Sequence, residues 1–239
     1  MKRMNSNLFL IVTLFLLFTP SWFLLALAET LAIYPPEAKP FGLSFSDHAI
    51  NYWRWLISIP ADQAPFDDTT GERCSNGQLN SNSSVFYLTG VGGGGKESRI
   101  CEVPEGKGIF IMTESSGYSK LEKPGYTLDE LKEEAKKDVD KNFNINLTID
   151  GHEYTTDDLQ KYRVASPVYN VTFPLNPIFG ISIDKPTITQ SASNDIFVIT
   201  HPITKGNHII HLVTHACDLA KPECGEIITR DLSYTLGVK

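Results

Sequence analysis

The stretch "IFVITHPITKGNHIIHLVTHA", Ile196–Ala216, decides the fold class. Two runs rich in Ile, Val, Phe and Thr flank Thr204-Lys205-Gly206-Asn207, a segment of turn composition. The pattern predicts two strands joined as a hairpin. Working outward, "RVASPVYNVTFP" (Arg163–Pro174) and "IITRDLSYTLGV" (Ile227–Val238) supply further short strands. Upstream, "VFYLTG" (Val85–Gly90) reads as a buried strand. "RICEVPEGKGIFIMT" (Arg99–Thr113) reads as its antiparallel return, with a tight turn at Pro104–Lys107. "NINLTIDG" (Asn144–Gly151) is a strand entering an Asp-Gly turn. Helices interrupt these strands without alternating with them. The expected fold is therefore mainly β, an antiparallel β-sandwich or jelly-roll-like domain with two or three inserted helices.

Three helical segments are expected. In "SFSDHAINYWRWLISIP" (Ser44–Pro60), Ser46 or Asp47 is placed to cap, Ile50, Trp53 and Ile57 share a face, and Pro60 ends the run. Thr127-Leu128-Asp129-Glu130 is a capping box, and Leu128, Leu131, Ala135 and Val139 follow at helical spacing. "TTDDLQKY" (Thr155–Tyr162) is a short capped turn of helix.

The N-terminus indicates export. Lys2 and Arg3 precede a long apolar run ending Ala26-Leu27-Ala28, the pattern of a signal peptide cleaved before Glu29; an N-terminal membrane anchor is the alternative. The expected organisation is a signal peptide over 1–28, an extended Pro-rich linker over 29–43, and a single β-rich domain over 44–239. Cleavage removes Lys2 and Arg3 and no acidic residue, so the formal charge moves from −7 to −9. So acidic a chain lacks the positive footprint that nucleic acid or anionic lipid requires. An oxidising compartment favours disulfides among the four cysteines. Closure of local loops favours Cys74–Cys101 and Cys217–Cys224 over the other pairings and over a thiolate zinc site. Three Asn-x-Ser/Thr sequons, at Asn82, Asn146 and Asn170, read as surface positions.

Several motifs fail on inspection. "GVGGGGK" (Gly90–Lys96) begins like a phosphate-binding loop, but Glu97 stands where the magnesium-binding hydroxyl should be, and a strand follows where a helix is required. Asp67-Asp68 and Asp157-Asp158 are adjacent carboxylates, better suited to turns and caps than to facing each other across a cleft. The histidines are more open. Across the expected hairpin His201 approaches His208, with His211 beyond, which makes copper or zinc the candidate metal; a third donor would come from His48, His152, Asp218 or Glu223. The favoured alternative is a strand whose imidazoles are exposed or hydrogen-bonded. His208 and His211 point to opposite faces, and His211 lies about 13 Å from His215 at ordinary strand rise.

The order W-x-W-x-x-S-x-P (Trp53–Pro60), D-x-T-G-x-x-C-x-x-G-Q (Asp68–Gln78), R-x-C-x-V-P-x-G-K (Arg99–Lys107) and G-x-H-x-I-H (Gly206–His211) resembles a family of exported bacterial and archaeal proteins without an assigned activity. Phe86-Tyr87 stands where that pattern has Trp-Phe, and Cys217 and Cys224 fall outside it. The resemblance implies a secreted domain with a Cys74–Cys101 bridge, and adds no reaction. Trp53, Trp55, Gln78, Arg99, Lys107 and Arg163 are the ligand-binding candidates. The functional expectation is a secreted or cell-surface module that binds a ligand, an envelope component or a glycan. It leans away from an enzyme, with a His-hairpin metal protein and a carbohydrate-active protein as alternatives.

Overall fold

The computed structural model describes residues 32–78, 83–90, 92–217 and 227–239. The expected signal peptide, the first residues of the linker, Asn82, Asp218, Glu223 and Cys224 lie outside the described residues. Among the described residues, ten strands form two five-stranded sheets, with three α-helices added. The mainly β expectation holds, as a β-sandwich-like fold with inserted helices.

The first sheet contains β1 (Val85–Leu88), β3 (Gly108–Ser119), β8 (Thr187–Ile199), β6 (Arg163–Ala165) and β7 (Tyr169–Phe173). Strand β8 is its spine. It pairs with β3 along one edge, and with β6 and then β7 along the other. The second sheet runs β2 (Gly95–Val103), β10 (Ile227–Val238), β9 (Gly206–Cys217), β4 (Asn142–Ile149), β5 (His152–Tyr154). The β4–β5 hairpin turns on Asp150 and Gly151, both at positive φ, as the Asp-Gly pair requires.

Two expected local pairings are corrected. Strands β1 and β2 are not a hairpin: β1 pairs in parallel with β3, and β2 pairs in parallel with β10 in the opposite sheet. The "TKGN" segment is also no hairpin, because β8 and β9 belong to different sheets. The reason is burial. Ile203 is only 1 % exposed and its backbone is fastened to Gly106 and Lys107. A hairpin tip would have left that side chain in water. The linker also differs from an open tether from Ala32 on. Ala32 accepts from His201 N, Tyr34 N donates to Ile199 O, and the Tyr34 ring stacks on His201 at 4.0 Å.

Helix α1 (Phe45–Ser58) is capped by Ser44, two or three residues earlier than expected, with Asp47 closing the box. Its aromatic face packs on the first sheet, Tyr52 on Phe110 (4.9 Å), Trp55 on Tyr87 (5.3 Å) and Phe45 on Phe197 (5.3 Å). Offset ring pairs of this kind add about 0.5–1.5 kcal/mol beyond their buried area. Helix α2 (Leu128–Asp140) has the expected Thr127/Glu130 box and buries Leu131, Ala135 and Val139 against β3 and β8. Helix α3 (Thr156–Gln160) is the short capped turn.

The Cys74–Cys101 disulfide is formed, with Cα atoms 5.8 Å apart. Cys217 is also disulfide-bonded. Among the described residues no helix is long and apolar enough to cross a membrane.

Candidate functional site

The site begins with a change of character along the inner face of the second sheet. Leu147, Leu212 and Leu232 are cross-strand partners and form one apolar row. The next row on that face is Ile145, Thr214 and Arg230. Thr214 is 1 % exposed, and its hydroxyl has no hydrogen-bond partner among the described residues. The same holds for Arg230 Nε.

Across from this row, β3 runs beyond its pairing with β1, which covers only Gly108–Ile111. A β-bulge between Met112 and Glu114 resets the phase of the strand. Bulges re-aim side chains, and here Glu114 meets Arg230, with Oε2 3.4 Å from the guanidinium. Further along β3, Ser116 and Tyr118 hydroxyls donate to Asp138 on α2 (3.0 and 2.6 Å), and Lys141 Nζ approaches the same carboxylate at 3.4 Å. Glu122 accepts from Ser119 N and Oγ (2.9 and 2.6 Å). Burial pushes the Glu122 carboxyl above its ordinary pKa, against those donors.

These groups enclose a cavity of about 360 Å³, bounded by β3, by β9 and β10, and by Tyr52, Trp53 and Leu56 of α1. That volume suits a small ligand, at the lower end of the ~300–1,000 Å³ range. Phe66 and Phe179 form part of its wall, meeting edge to face at 5.2 Å. Phe179 is 47 % exposed and holds φ +67°, so it stands at the mouth in a conformation that costs a non-glycine residue about 1–3 kcal/mol. Trp53 donates through Nε1 to Asp195 (2.9 Å), and its ring lies so close to Gly117 that a Cβ there would fall 3.0 Å from it. A shallower depression around Asp47, Asn51, Arg54 and Asn170 is polar, but Arg54 Nε already donates to the Asn170 carbonyl at 3.1 Å.

Of the six ligand candidates taken from the sequence, Trp53 alone lines the cavity. Trp55 is fully buried against Tyr87 and donates to Asn76 O. Gln78 acts as a substitute strand, donating to the Cys74 and Tyr87 carbonyls (both 2.9 Å) and accepting from Tyr87 N (3.0 Å). Arg99 is 1 % exposed and its guanidinium is shared among Glu97 (2.7 Å), Tyr234 OH (2.8 Å) and Phe66 O (3.2 Å), so it positions Phe66 in the cavity wall. Lys107 Nζ donates to Ser83 O. Arg163 joins Asn194 (2.6 Å) and Asp140 (2.7 Å). Asp68, from one adjacent carboxylate pair, caps its own loop through Thr70 and Arg73 N. Asp158, from the other, closes the α3 cap.

The histidines do not converge. His208 Nδ1 faces Asp150 Oδ2 at 2.7 Å and its Nε2 faces Thr204 O at 3.1 Å. Both ring nitrogens thus face acceptor oxygens, which occupies the lone-pair direction a metal would need. His211 pairs with Asp231 (2.8 Å) on the outer face, and His201 stacks on Tyr34. Among the described residues no three His, Cys, Asp or Glu side chains gather as a metal set.

Arg230, Thr214, Glu114, Glu122 and Asp138 escaped the sequence reading. One signal was present: Arg230 lies in phase with Leu232, Tyr234, Leu236 and Val238, the apolar side of β10. A cation on an apolar face needs a partner or a purpose. No family model matches the chain, and no curated protein matches it.

Proposed function

We propose that this is an exported β-sandwich that binds a small polar ligand in the cavity between its sheets. One observation carries the reading. Two buried polar groups, the Thr214 hydroxyl and Arg230 Nε, border a cavity without hydrogen-bond partners among the described residues. An unsatisfied buried polar atom costs about 1–3 kcal/mol, a cost that a ligand supplying the missing acceptor would offset. The exposed, left-handed Phe179 at the mouth supports the same reading.

Export is supported by the signal-like N-terminus and by the Cys74–Cys101 bridge, which persists in oxidising compartments. Binding without turnover is supported by how the cavity's carboxylates are held: Glu114 by Arg230, Asp138 by Ser116, Tyr118 and Lys141, Glu122 by Ser119. The natural source of such a ligand is the cell envelope or the surrounding medium.

The test is a thermal-shift panel of sugars, amino acids, carboxylates and amines on the mature chain, repeated on Ala216→Phe, which fills the cavity from β9. A stabilising compound whose effect vanishes in the filled variant supports the reading; Ala216→Leu serves if the larger ring prevents folding. No stabilisation by any class overturns it. Turnover of glycosides or esters, abolished by Glu122→Gln, would overturn the non-catalytic part.

A further inference from the structure

Resting on that reading, we infer that the ligand is a neutral, polyhydroxylated molecule, a mono- or disaccharide rather than an ion.

Consider first what the cavity offers. Arg230 Nε is an N–H that only donates, and the Thr214 hydroxyl donates or accepts. Their complement is an oxygen atom on the ligand. Close by, Glu114, Asp138 and Glu122 line the cavity, and a carboxyl group held by protein donors still accepts a further O–H or N–H from a ligand. The ligand must therefore carry acceptors and donors within the span of one small cavity.

Charge then narrows the choice. Arg230 is neutralised by Glu114 at 3.4 Å, and Asp138 faces Lys141 at 3.4 Å. Glu122 is buried, which disfavours its ionised form, and the Ser119 donors offset that only in part. A carboxylate ligand drawn to Arg230 would be placed beside Glu114. An ammonium drawn to Glu114 would be placed beside Arg230. In either case a desolvated like-charge contact offsets the attraction. A hydroxyl avoids both costs, accepting from Arg230 and donating to a carboxylate with no net charge to bury. The walls complete the match. Phe66 and Phe179, the more open aromatic rings of the wall, supply surface for the C–H face of a sugar ring, while the polar row reads its hydroxyls.

The inference also makes a demand on the free protein. A hydroxyl kept unsatisfied for a ligand's sake is a liability without the ligand. Thr214→Val preserves shape and removes that liability. It should leave the melting temperature of the free protein unchanged or raised, while weakening saccharide binding at least tenfold. A Thr214 with a merely structural role would show a lowered melting temperature.

The experiment is calorimetric and NMR titration of the mature chain with glucose, galactose, mannose, N-acetylglucosamine and their disaccharides, set against galacturonate, glucosamine and glutamate. The expected result is binding by at least one neutral sugar, at least tenfold tighter than its uronate or amine analogue. That binding should weaken at least tenfold in Thr214→Val and be retained in Thr214→Ser. Tighter binding of a charged analogue in the same cavity would overturn the neutral-ligand inference and leave the binding site standing. Sugar binding indifferent to Thr214→Val would overturn the assignment of this polar row. If no compound of any class perturbs the Trp53 indole, the cavity reading itself fails.

Discussion

Replacing Asp195 with Asn should change how stability depends on pH, and the structure sets the size of the change. Asp195 lies on β8, fully buried, and accepts from Trp53 Nε1 (2.9 Å) and Ser193 Oγ (2.6 Å). Desolvation dominates, so its carboxyl is pushed up to about 7 from an ordinary 3.8, despite the two donors that favour the charged form. A folded pKa above the unfolded one means that, between about pH 4 and pH 7, the native state keeps a proton the unfolded chain has released. Stability therefore falls as pH rises through that window and is level above it. One pKa unit corresponds to about 1.4 kcal/mol, so the whole window amounts to about 4 kcal/mol. Asn is nearly isosteric and never ionises. Its carbonyl can still accept from the Trp53 indole, and its amide can donate to Ser193.

Urea unfolding of both proteins across the window isolates the effect, because every other titration is shared and cancels in the difference. Near pH 4 the two should be close in stability, and by about pH 8 Asp195→Asn should be the more stable by several kcal/mol. A difference that stays flat with pH would show that Asp195 does not hold a proton near neutrality in the folded state. The account of the hydrogen bond that sets the Trp53 ring against Gly117 would then need revision.

Three further outcomes follow from the framework. Converting Cys74 and Cys101 to serine should cost about 3–4 kcal/mol in denaturant unfolding, the loop-closure value for a separation of 27 residues. Unreduced peptide mapping should recover the two cysteines in one linked fragment. Gly71 holds φ +95°, and a Cβ there would lie 2.4 Å from the Ile100 carbonyl oxygen, so Gly71→Ala should destabilise by about 3 kcal/mol or more, or prevent folding. Gln78→Ala removes three hydrogen bonds to backbone that stays buried, and should cost about 2–4 kcal/mol, measured as a shift in urea midpoint with an unchanged slope.

Features fixed by a few neighbouring residues were legible in the sequence. The Thr127/Glu130 box, the Asp150-Gly151 turn and the short α3 cap appear where local chemistry placed them, and the Cys74–Cys101 bridge is formed although the strands beside it do not make the expected hairpin. What local chemistry does not encode is the choice of sheet. "VFYL" is buried on both faces and would suit either sheet, and only its parallel seat beside β3 settles the matter. Ile203 likewise sits among turn residues, yet its burial draws the chain across to the other sheet. The most conspicuous polar residues, Gln78, Arg99 and Arg163, turned out to be tied into the framework. Fully engaged side chains and waiting ones look alike in one dimension. Glu114 was hidden for a different reason, since the bulge at Met112 breaks the alternation by which an inward residue is recognised.

The central claim is that the cavity between the sheets is where this protein meets its ligand. Two-dimensional ¹⁵N–¹H spectra of residues 29–239, recorded against a library of neutral sugars, amino acids, carboxylates and amines, test it most directly. Trp53 and Trp55 provide a built-in contrast, one indole in the cavity wall and the other sealed in the core. The account predicts that a binding compound moves the Trp53 indole and the Gly117, Thr214 and Arg230 amides, and leaves the Trp55 indole and the amides of His208 and His211 in place. Shifts centred instead on the outer face of the second sheet, around His211 and Asp231, or no shift with any compound, would contradict it.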